Sequence, residues 1–162
     1  MVQSNNLIRV YADTSVFGGV FDQEFSKASK LFFEQVKDGI FQLIVSEVIR
    51  KEIIAAPDSV NKIFNEILIY AEIVDIKEEA LKLRQAYLKA DIVKPRWSDD
   101  ALHVALATVS TCRVIVSWNF KHIVHFKKIP LYNAINIIEG YNNISIHSPL
   151  EVIDYGRKNK KF

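Results

Sequence analysis

The stretch LIRVYADTSVFGG, residues 7–19, joins a short apolar run to an aspartate that two hydroxyl residues follow at once. Leu7 to Ala12 is apolar, favours β structure and is short enough for a buried strand. Asp13 therefore lies at the predicted carboxyl end of this strand. The stretch predicts that the fold begins with a buried strand and that polar chemistry follows its end.

The rest of the chain alternates between segments with helical and strand-like patterns. Apolar spacing predicts helices over residues 26–39, 47–56, 59–71, 77–90 and 99–110, and short apolar runs predict strands over 40–45, 72–76 and 113–117. Ser46 and Ser98 are placed as N-caps, and SPLE, residues 148–151, predicts a capping box with proline at the first helical position. Strands that alternate with helices form parallel βαβ units. We therefore expect an α/β fold, a three-layer α/β/α sandwich around a mostly parallel sheet of four to five strands.

Length and composition favour one globular domain. The 162 residues are 49% hydrophobic and 25% charged, which suffices for a full core and argues against disorder. Without repeats or linkers, residues 1–162 are expected to form a single domain, with 156–162 as a basic tail. The single cysteine, Cys112, excludes an internal disulfide and favours a cytoplasmic setting. No apolar run is long enough for a secretory signal or a membrane span, and a net charge of +2 does not by itself predict nucleic-acid binding.

Carboxylates recur near the predicted strand ends. Asp13 follows the first strand, and Glu52 lies six residues after Ser46, on the helix that follows the second. Asp99 and Asp100 open the helix at 99–110. Ligands of open parallel sheets bind outside the carboxyl ends of the strands, so these acids are expected to meet there. Converging carboxylates suit a hard cation such as Mg²⁺, which can activate a water molecule and clamp a phosphodiester.

Each acid also has an ordinary structural explanation. Asp13 could cap the next segment or form an Asx-turn, and Glu52 could pair with a neighbouring basic residue on the helix surface. Asp99 and Asp100 could serve only to complement the helix dipole. The occurrence of acids near several strand ends favours a common site over unrelated caps.

Four segments are similar in order and spacing to the PIN-domain nucleases, and most closely to the VapC-type toxins of prokaryotic toxin–antitoxin pairs. They are YADTSVF at 11–17, SEVIRKE at 46–52, DALHVALA at 100–107 and VIVSWNFKHI at 114–123. The resemblance implies a PIN-like domain with endoribonuclease activity that depends on Mg²⁺ or Mn²⁺. It implies that Asp13, Glu52 and Asp100 are the catalytic acids that bind the metal.

The segment after the fourth predicted strand departs from the family. Many relatives have arginine where Trp118 stands and an acid where Asn119 or His122 stands, so a fourth carboxylate would have to come from Asp99. The resemblance places Ser15 and Asn119 at positions that could contact substrate. Trp118 could stack on an RNA base or could be a structural tryptophan.

Two histidine patterns offer weaker candidates. His122 and His125 are three residues apart and could share a helix face as zinc ligands, although no second pair accompanies them. His103 lies four residues after Asp99, which predicts a structural hydrogen bond between the two.

The resemblance also implies RNA as substrate, a homodimer, and an antitoxin protein that covers the acidic cleft and the apolar face of residues 31–36. Two alternatives remain. A phosphatase of the haloacid-dehalogenase type needs a second aspartate where Ser15 stands, which argues against it. A PIN-like module that binds RNA or protein without cutting is compatible with the missing fourth acid.

Overall fold

Helices and strands alternate along the whole of the described chain. A computed structural model describes residues 7–159, with side chains described as far as Arg157. The strands are β1 (Ile8–Ala12), β2 (Phe41–Ser46), β3 (Ala71–Val74), β4 (Val114–Val116) and β5 (Ser145–His147). The α-helices are α1 (Thr14–Gly19), α2 (Ser26–Lys37), α3 (Glu47–Ile54), α4 (Asp58–Leu68), α5 (Glu78–Lys89), α6 (Ser98–Val109), α7 (Lys128–Ile138) and α8 (Pro149–Asn159), with a 3-10 turn at Pro95–Trp97.

The five strands form one sheet in the order β3-β2-β1-β4-β5, and every neighbouring pair is parallel. The first strand is central, since Val10 pairs with Leu43 of β2 on one side and with Val114 of β4 on the other. Helices cover the sheet, so the predicted α/β architecture is confirmed. Because all strands run the same way, their carboxyl ends share one edge.

The carboxyl half of β1 and most of α6 are buried in the core. Val10, Tyr11 and Ala12 have no exposed surface. Residues 101–108 of α6 are buried without interruption, as expected for a helix enclosed by the rest of the domain. Of the residues that the structure describes, none belongs to a helix long and apolar enough to cross a bilayer.

Helix α2 packs inward, which corrects the expectation for residues 31–36. Phe32, Phe33 and Val36 are buried in the core, so this apolar face is not left for a partner. Helix α8 packs against α2, and a Cβ added at Gly156 would lie within 3 Å of the Gln35 side chain. Residues 156–159 of the expected basic tail continue helix α8, and residues 160–162 lie outside the described chain.

The predicted helix starts have mixed outcomes. Ser46 caps α3 as predicted, its Oγ accepting from the Ile49 N–H at 3.5 Å. Ser98 is the first residue of α6 and not its cap, because the 3-10 turn ends directly before it. Pro149 begins α8 as predicted, whereas the Glu151 carboxylate contacts the His147 imidazole.

Candidate active site

Asp13 is buried at the carboxyl edge of the sheet, directly after β1. Its side chain is held by two hydroxyl groups, with Ser15 Oγ donating at 2.5 Å and Ser117 Oγ donating at 2.6 Å. The Ser15 hydroxyl in turn accepts the Trp118 backbone N–H at 2.9 Å. Burial raises the pKa of the Asp13 carboxyl, and the nearby His103 charge and the two hydroxyls only partly oppose this. The carboxylate is therefore fixed in place and costly to ionise.

Glu52 is tied to the core through a buried chain of hydrogen bonds. His103 Nε2 lies 2.8 Å from Glu52 Oε1, and His103 Nδ1 lies 2.8 Å from the Tyr11 hydroxyl. The Tyr11 hydroxyl lies 2.7 Å from Ser46 Oγ. The expected bond between Asp99 and His103 is wrong, because His103 points into this chain while Asp99 is exposed at the start of α6.

The acids around the His103 imidazole raise its pKa. Burial alone would lower its pKa, but the hydrogen bond to Glu52 and the charges of Asp13 and Asp100 raise it above 6.5 overall. Burial would raise the pKa of Glu52, and the bond to His103 more than reverses this. A protonated imidazole donates from both nitrogens, which suits a carboxylate on one side and the Tyr11 oxygen on the other.

Asp100 approaches from the first turn of α6. Burial raises the pKa of its carboxyl, while a hydrogen bond from the Asn119 amide and the charges of His122 and His103 act in the opposite direction. Asn119 Oδ1 accepts the His122 backbone N–H at 2.9 Å, which leaves the Asn119 amino group for Asp100. The predicted convergence of Asp100 and Asn119 is therefore present.

Asp13, Glu52 and Asp100 converge on His103 from three separate elements, and Glu52 influences the pKa of both other acids. This donor set has the oxygen chemistry that Mg²⁺ or Mn²⁺ prefers. Within residues 7–159, no group of three or more His, Cys, Asp or Glu side chains is arranged to hold a metal ion. The residue types fit a hard cation, and in this arrangement His103 bonds to one of the three acids, Glu52.

Trp118 is a structural residue. Only 7% of it is exposed, its ring stacks on Phe25 at 4.2 Å between centroids, and its Nε1 donates to Ser29 Oγ at 2.8 Å. A ring covered in this way cannot stack on a base, so the expected substrate contact by Trp118 is wrong. The sequence could not separate it from Trp97, which is only partly buried.

The loop after β4 also corrects the expected histidine pair. Residues 120–123 form turns, so His122 and His125 do not share a helix face. His122 instead stacks on Trp97, with 4.6 Å between ring centroids, and its Nδ1 lies 3.4 Å from Lys128 Nζ. These contacts place an aromatic ring and a lysine next to Asp100, a feature that the sequence pattern did not predict.

Comparison with known proteins supports the fold. No family model matches the chain, and no curated protein matches it in sequence. Among solved structures, the chain is similar to one in the crystal structure of VapBC2 from Rickettsia felis bound to a DNA fragment from their promoter. The TM-score is 0.56 at 13% identity, over 87% of this chain and 98% of that chain.

The fold is PIN-like. At 13% identity the similarity concerns the fold alone. The choice of candidate site residues in this PIN-like domain therefore rests on the contacts described above.

Proposed function

We propose that this protein is a metal-dependent endoribonuclease and the toxin of a toxin–antitoxin pair. The observation that carries the proposal is the convergence of Asp13, Glu52 and Asp100 at the carboxyl edge of a PIN-like sheet. The resemblance of four sequence segments to VapC-type toxins supports it independently of the fold. Asp13, Glu52 and Asp100 are the proposed ligands of one Mg²⁺ or Mn²⁺ ion.

A bound divalent ion would lower the pKa of a water molecule and stabilise charge on a phosphodiester.

Asp13 and Glu52 differ in how freely their carboxylates can move. Asp13 is the fixed ligand, because Ser15 and Ser117 hold its two oxygens. Glu52 is the adaptable one, since 36% of its side chain is exposed and one oxygen makes the bond to His103.

Charge favours one ion in the absence of RNA. Three carboxylates carry too little negative charge to hold two divalent cations. Asp99 is exposed, where a carboxylate complements the helix dipole, so we do not count it as a ligand. Titration calorimetry on the RNA-free protein is expected to show one site, and two tight sites of similar affinity would contradict this.

The other polar groups near the acids have positioning roles on this proposal. The Ser15 hydroxyl donates to Asp13 and accepts from the Trp118 N–H, which makes it a support for the acid and leaves it little capacity to contact substrate. Asn119 holds Asp100 and orders the loop after β4, and it remains a candidate contact for the RNA backbone.

We also propose an antitoxin protein as partner and a homodimeric state. The VapC resemblance supports both, and the likeness to a chain of the VapBC2 structure is consistent with the first. Since the face of residues 31–36 is buried, a partner must use another surface. Helix α7 exposes Leu131, Ile137 and Ile138, which is the kind of apolar surface that association covers.

The test of the activity is cleavage of a mixed RNA pool by the purified chain with Mg²⁺, with Mn²⁺ and with a chelator. Asp13→Asn, Glu52→Gln and Asp100→Asn should each abolish metal-dependent cleavage, and pairs of these changes should add little if the acids act as a unit. Asp99→Asn is the matched control and should cleave normally. Wild-type activity in Asp13→Asn protein would refute the proposal, and RNA binding without cleavage would favour the non-cutting alternative.

A further inference from the structure

A cluster of basic and aromatic side chains lies beside the three acids. We call Arg96, Trp97, Lys121, His122 and Lys128 the basic–aromatic cluster. The Arg96 guanidinium carbon lies 5.5 Å and the Lys121 Nζ lies 5.1 Å from the centre of the Trp97 ring. Such distances are typical of cation–π contacts, so the partly exposed indole organises two positive charges.

The cluster shares two structural elements with the candidate site. Trp97 directly precedes α6, the helix that carries Asp100, and Lys121 follows Asn119 by two residues in the loop after β4. His122 joins the two parts, because its ring stacks on Trp97 at 4.6 Å and its backbone N–H donates to Asn119, the residue that also bonds to Asp100. His122 is 6% exposed, and its Nε2 atom is buried without a hydrogen-bond partner.

The cations of the cluster are not held in ion pairs. Arg96, Lys121 and Lys128 form no ion pair within the part of the chain that the structure describes, whereas other arginines and lysines do. Burial and the neighbouring charge of Lys121 lower the pKa of Lys128, and the charge of Asp100 acts in the opposite direction. Clustered cations without direct ion-pair partners attract an anionic ligand.

We propose that the basic–aromatic cluster binds single-stranded RNA next to the scissile phosphate. Arg96, Lys121 and Lys128 contact phosphate oxygens, and Trp97 stacks on one unpaired base. The proposal rests on the proposed ribonuclease function for its ligand class and adds the groups that bind the strand. The stacking free energy of a base on Trp97 is larger than the free energy of an exposed cation–π contact, so the base can displace a cation from the ring. The displaced cation can then bind a phosphate.

Charge and geometry both favour a single strand over other anionic ligands. In a duplex, each base is covered by its neighbours, so Trp97 has no face on which to stack. An acidic protein segment offers carboxylates but no base, and it would bind through the cations alone. Dependence on Trp97 therefore separates RNA from an acidic polypeptide.

The test measures binding of the full chain in chelator, which prevents metal-dependent cleavage. The probes are a fluorescent 12-nucleotide single-stranded RNA, a duplex of the same length and polyglutamate, each followed by anisotropy at several salt concentrations. Trp97→Ala should weaken single-strand binding by about 5- to 150-fold, from the stacking energy of one base. Trp97→Phe should keep most of the affinity.

Lys121 of the cluster has a matched control, Lys37, at the opposite edge of the sheet. Lys121→Ala should lower the salt dependence of binding by about one phosphate contact. Lys37 is exposed and ends α2 just before β2 begins, so Lys37→Ala should leave both affinity and salt dependence unchanged. Thermal melting of each variant verifies that it is folded.

The outcomes separate this proposal from the ribonuclease proposal. If wild-type protein cleaves RNA in Mg²⁺ while folded Trp97→Ala and Trp97→Phe proteins both bind the single strand normally, the cluster proposal is overturned and the activity stands. If wild-type protein binds the single strand through Trp97 without cleaving, the cluster proposal is supported and the activity is not. Binding of duplex or polyglutamate as tight as single-strand binding, and unaffected by Trp97→Ala, would overturn the cluster proposal.

Discussion

Asp13→Asn tests the proposed metal site through protein stability, because the Asp13 carboxylate is both buried in the fold and a proposed metal ligand. Only 4% of Asp13 is exposed, and Ser15 and Ser117 donate to its two oxygens. Asparagine has nearly the same shape and can still accept one of these hydroxyl bonds. The change therefore removes the charge and one metal ligand without opening a cavity.

The sign of the stability effect follows from the pKa of Asp13. Burial raises the pKa of its carboxyl above the ordinary value of 3.8, even with two hydroxyls donating to it. Ionisation therefore costs the folded state free energy, a cost that is absent below pH 3.8, grows as pH rises, and is complete above the raised pKa. Asparagine does not ionise, so without metal the variant should be at least as stable as wild type at neutral pH.

In the presence of metal, wild type should be more stable than Asp13→Asn. A ligand at a hundredfold excess over its dissociation constant stabilises the folded state by about 2.7 kcal/mol, roughly 5–11 °C in the melting temperature of a domain of this size. If loss of the Asp13 carboxylate weakens metal binding about a hundredfold, the same concentration stabilises the variant by only ~0.4 kcal/mol. The metal-dependent shift should therefore nearly disappear.

The assay is thermal melting between pH 5 and 8, in chelator and in Mg²⁺ or Mn²⁺, for wild type and for Asp13→Asn. Asp99→Asn is the control, and it should keep the metal-dependent shift while losing about 0.3–1 kcal/mol of stability at the helix start. A variant that is much less stable than wild type in chelator, or that metal stabilises as strongly as wild type, would refute the reasoning.

Three further predictions concern neighbouring parts of the fold. His103→Leu removes the hydrogen-bond partner of the buried Tyr11 hydroxyl and of the partly exposed Glu52 carboxylate, and should lower the metal-free unfolding free energy by about 1–3 kcal/mol, measured by urea denaturation; an unchanged value would contradict a structural role for this chain of hydrogen bonds. In Gly19→Ala, the new Cβ would lie 2.7 Å from Trp118 Nε1 and should cost about 1–3 kcal/mol, whereas Gly18→Ala, with open space around it, should cost nothing. Burial raises the pKa of the Cys112 thiol to about 12, so native protein should resist thiol reagents at pH 8 and react once unfolded.

Local sequence patterns were sufficient to predict where the acids lie and which class of fold the chain adopts. Asp13 could be placed because an apolar run ends directly before it, and Asp100 because it lies in the first turn of a buried helix. Parallel strands then bring these positions to one edge without any knowledge of the packing. These inferences need only the periodicity of single elements and the direction of the strands.

The contacts that complete the site depend on packing between distant elements. His103 was predicted to bond within its own helix, yet its partners Glu52 and Tyr11 are 51 and 92 residues away in sequence. Trp97 and Trp118 lie in similar sequence surroundings. It is the packing of Trp118 against Phe25 and Ser29, residues distant in sequence, that buries its ring. The strand β5 was missed because only one of its three residues, Ile146, is apolar, whereas the equally short β4 consists of three apolar residues.

The central place of β1 affects the order in which the chain is completed during synthesis. Ala12 pairs with Val116, and Asp13 is held by Ser117, so the first strand needs a partner made about 100 residues later. At ~5–20 residues per second, β1 waits roughly 5–20 s on the ribosome for β4. A nascent chain that stops before β4 contains all three acids but lacks the strand that holds the first of them. The candidate site therefore stays unassembled until most of the protein has been translated.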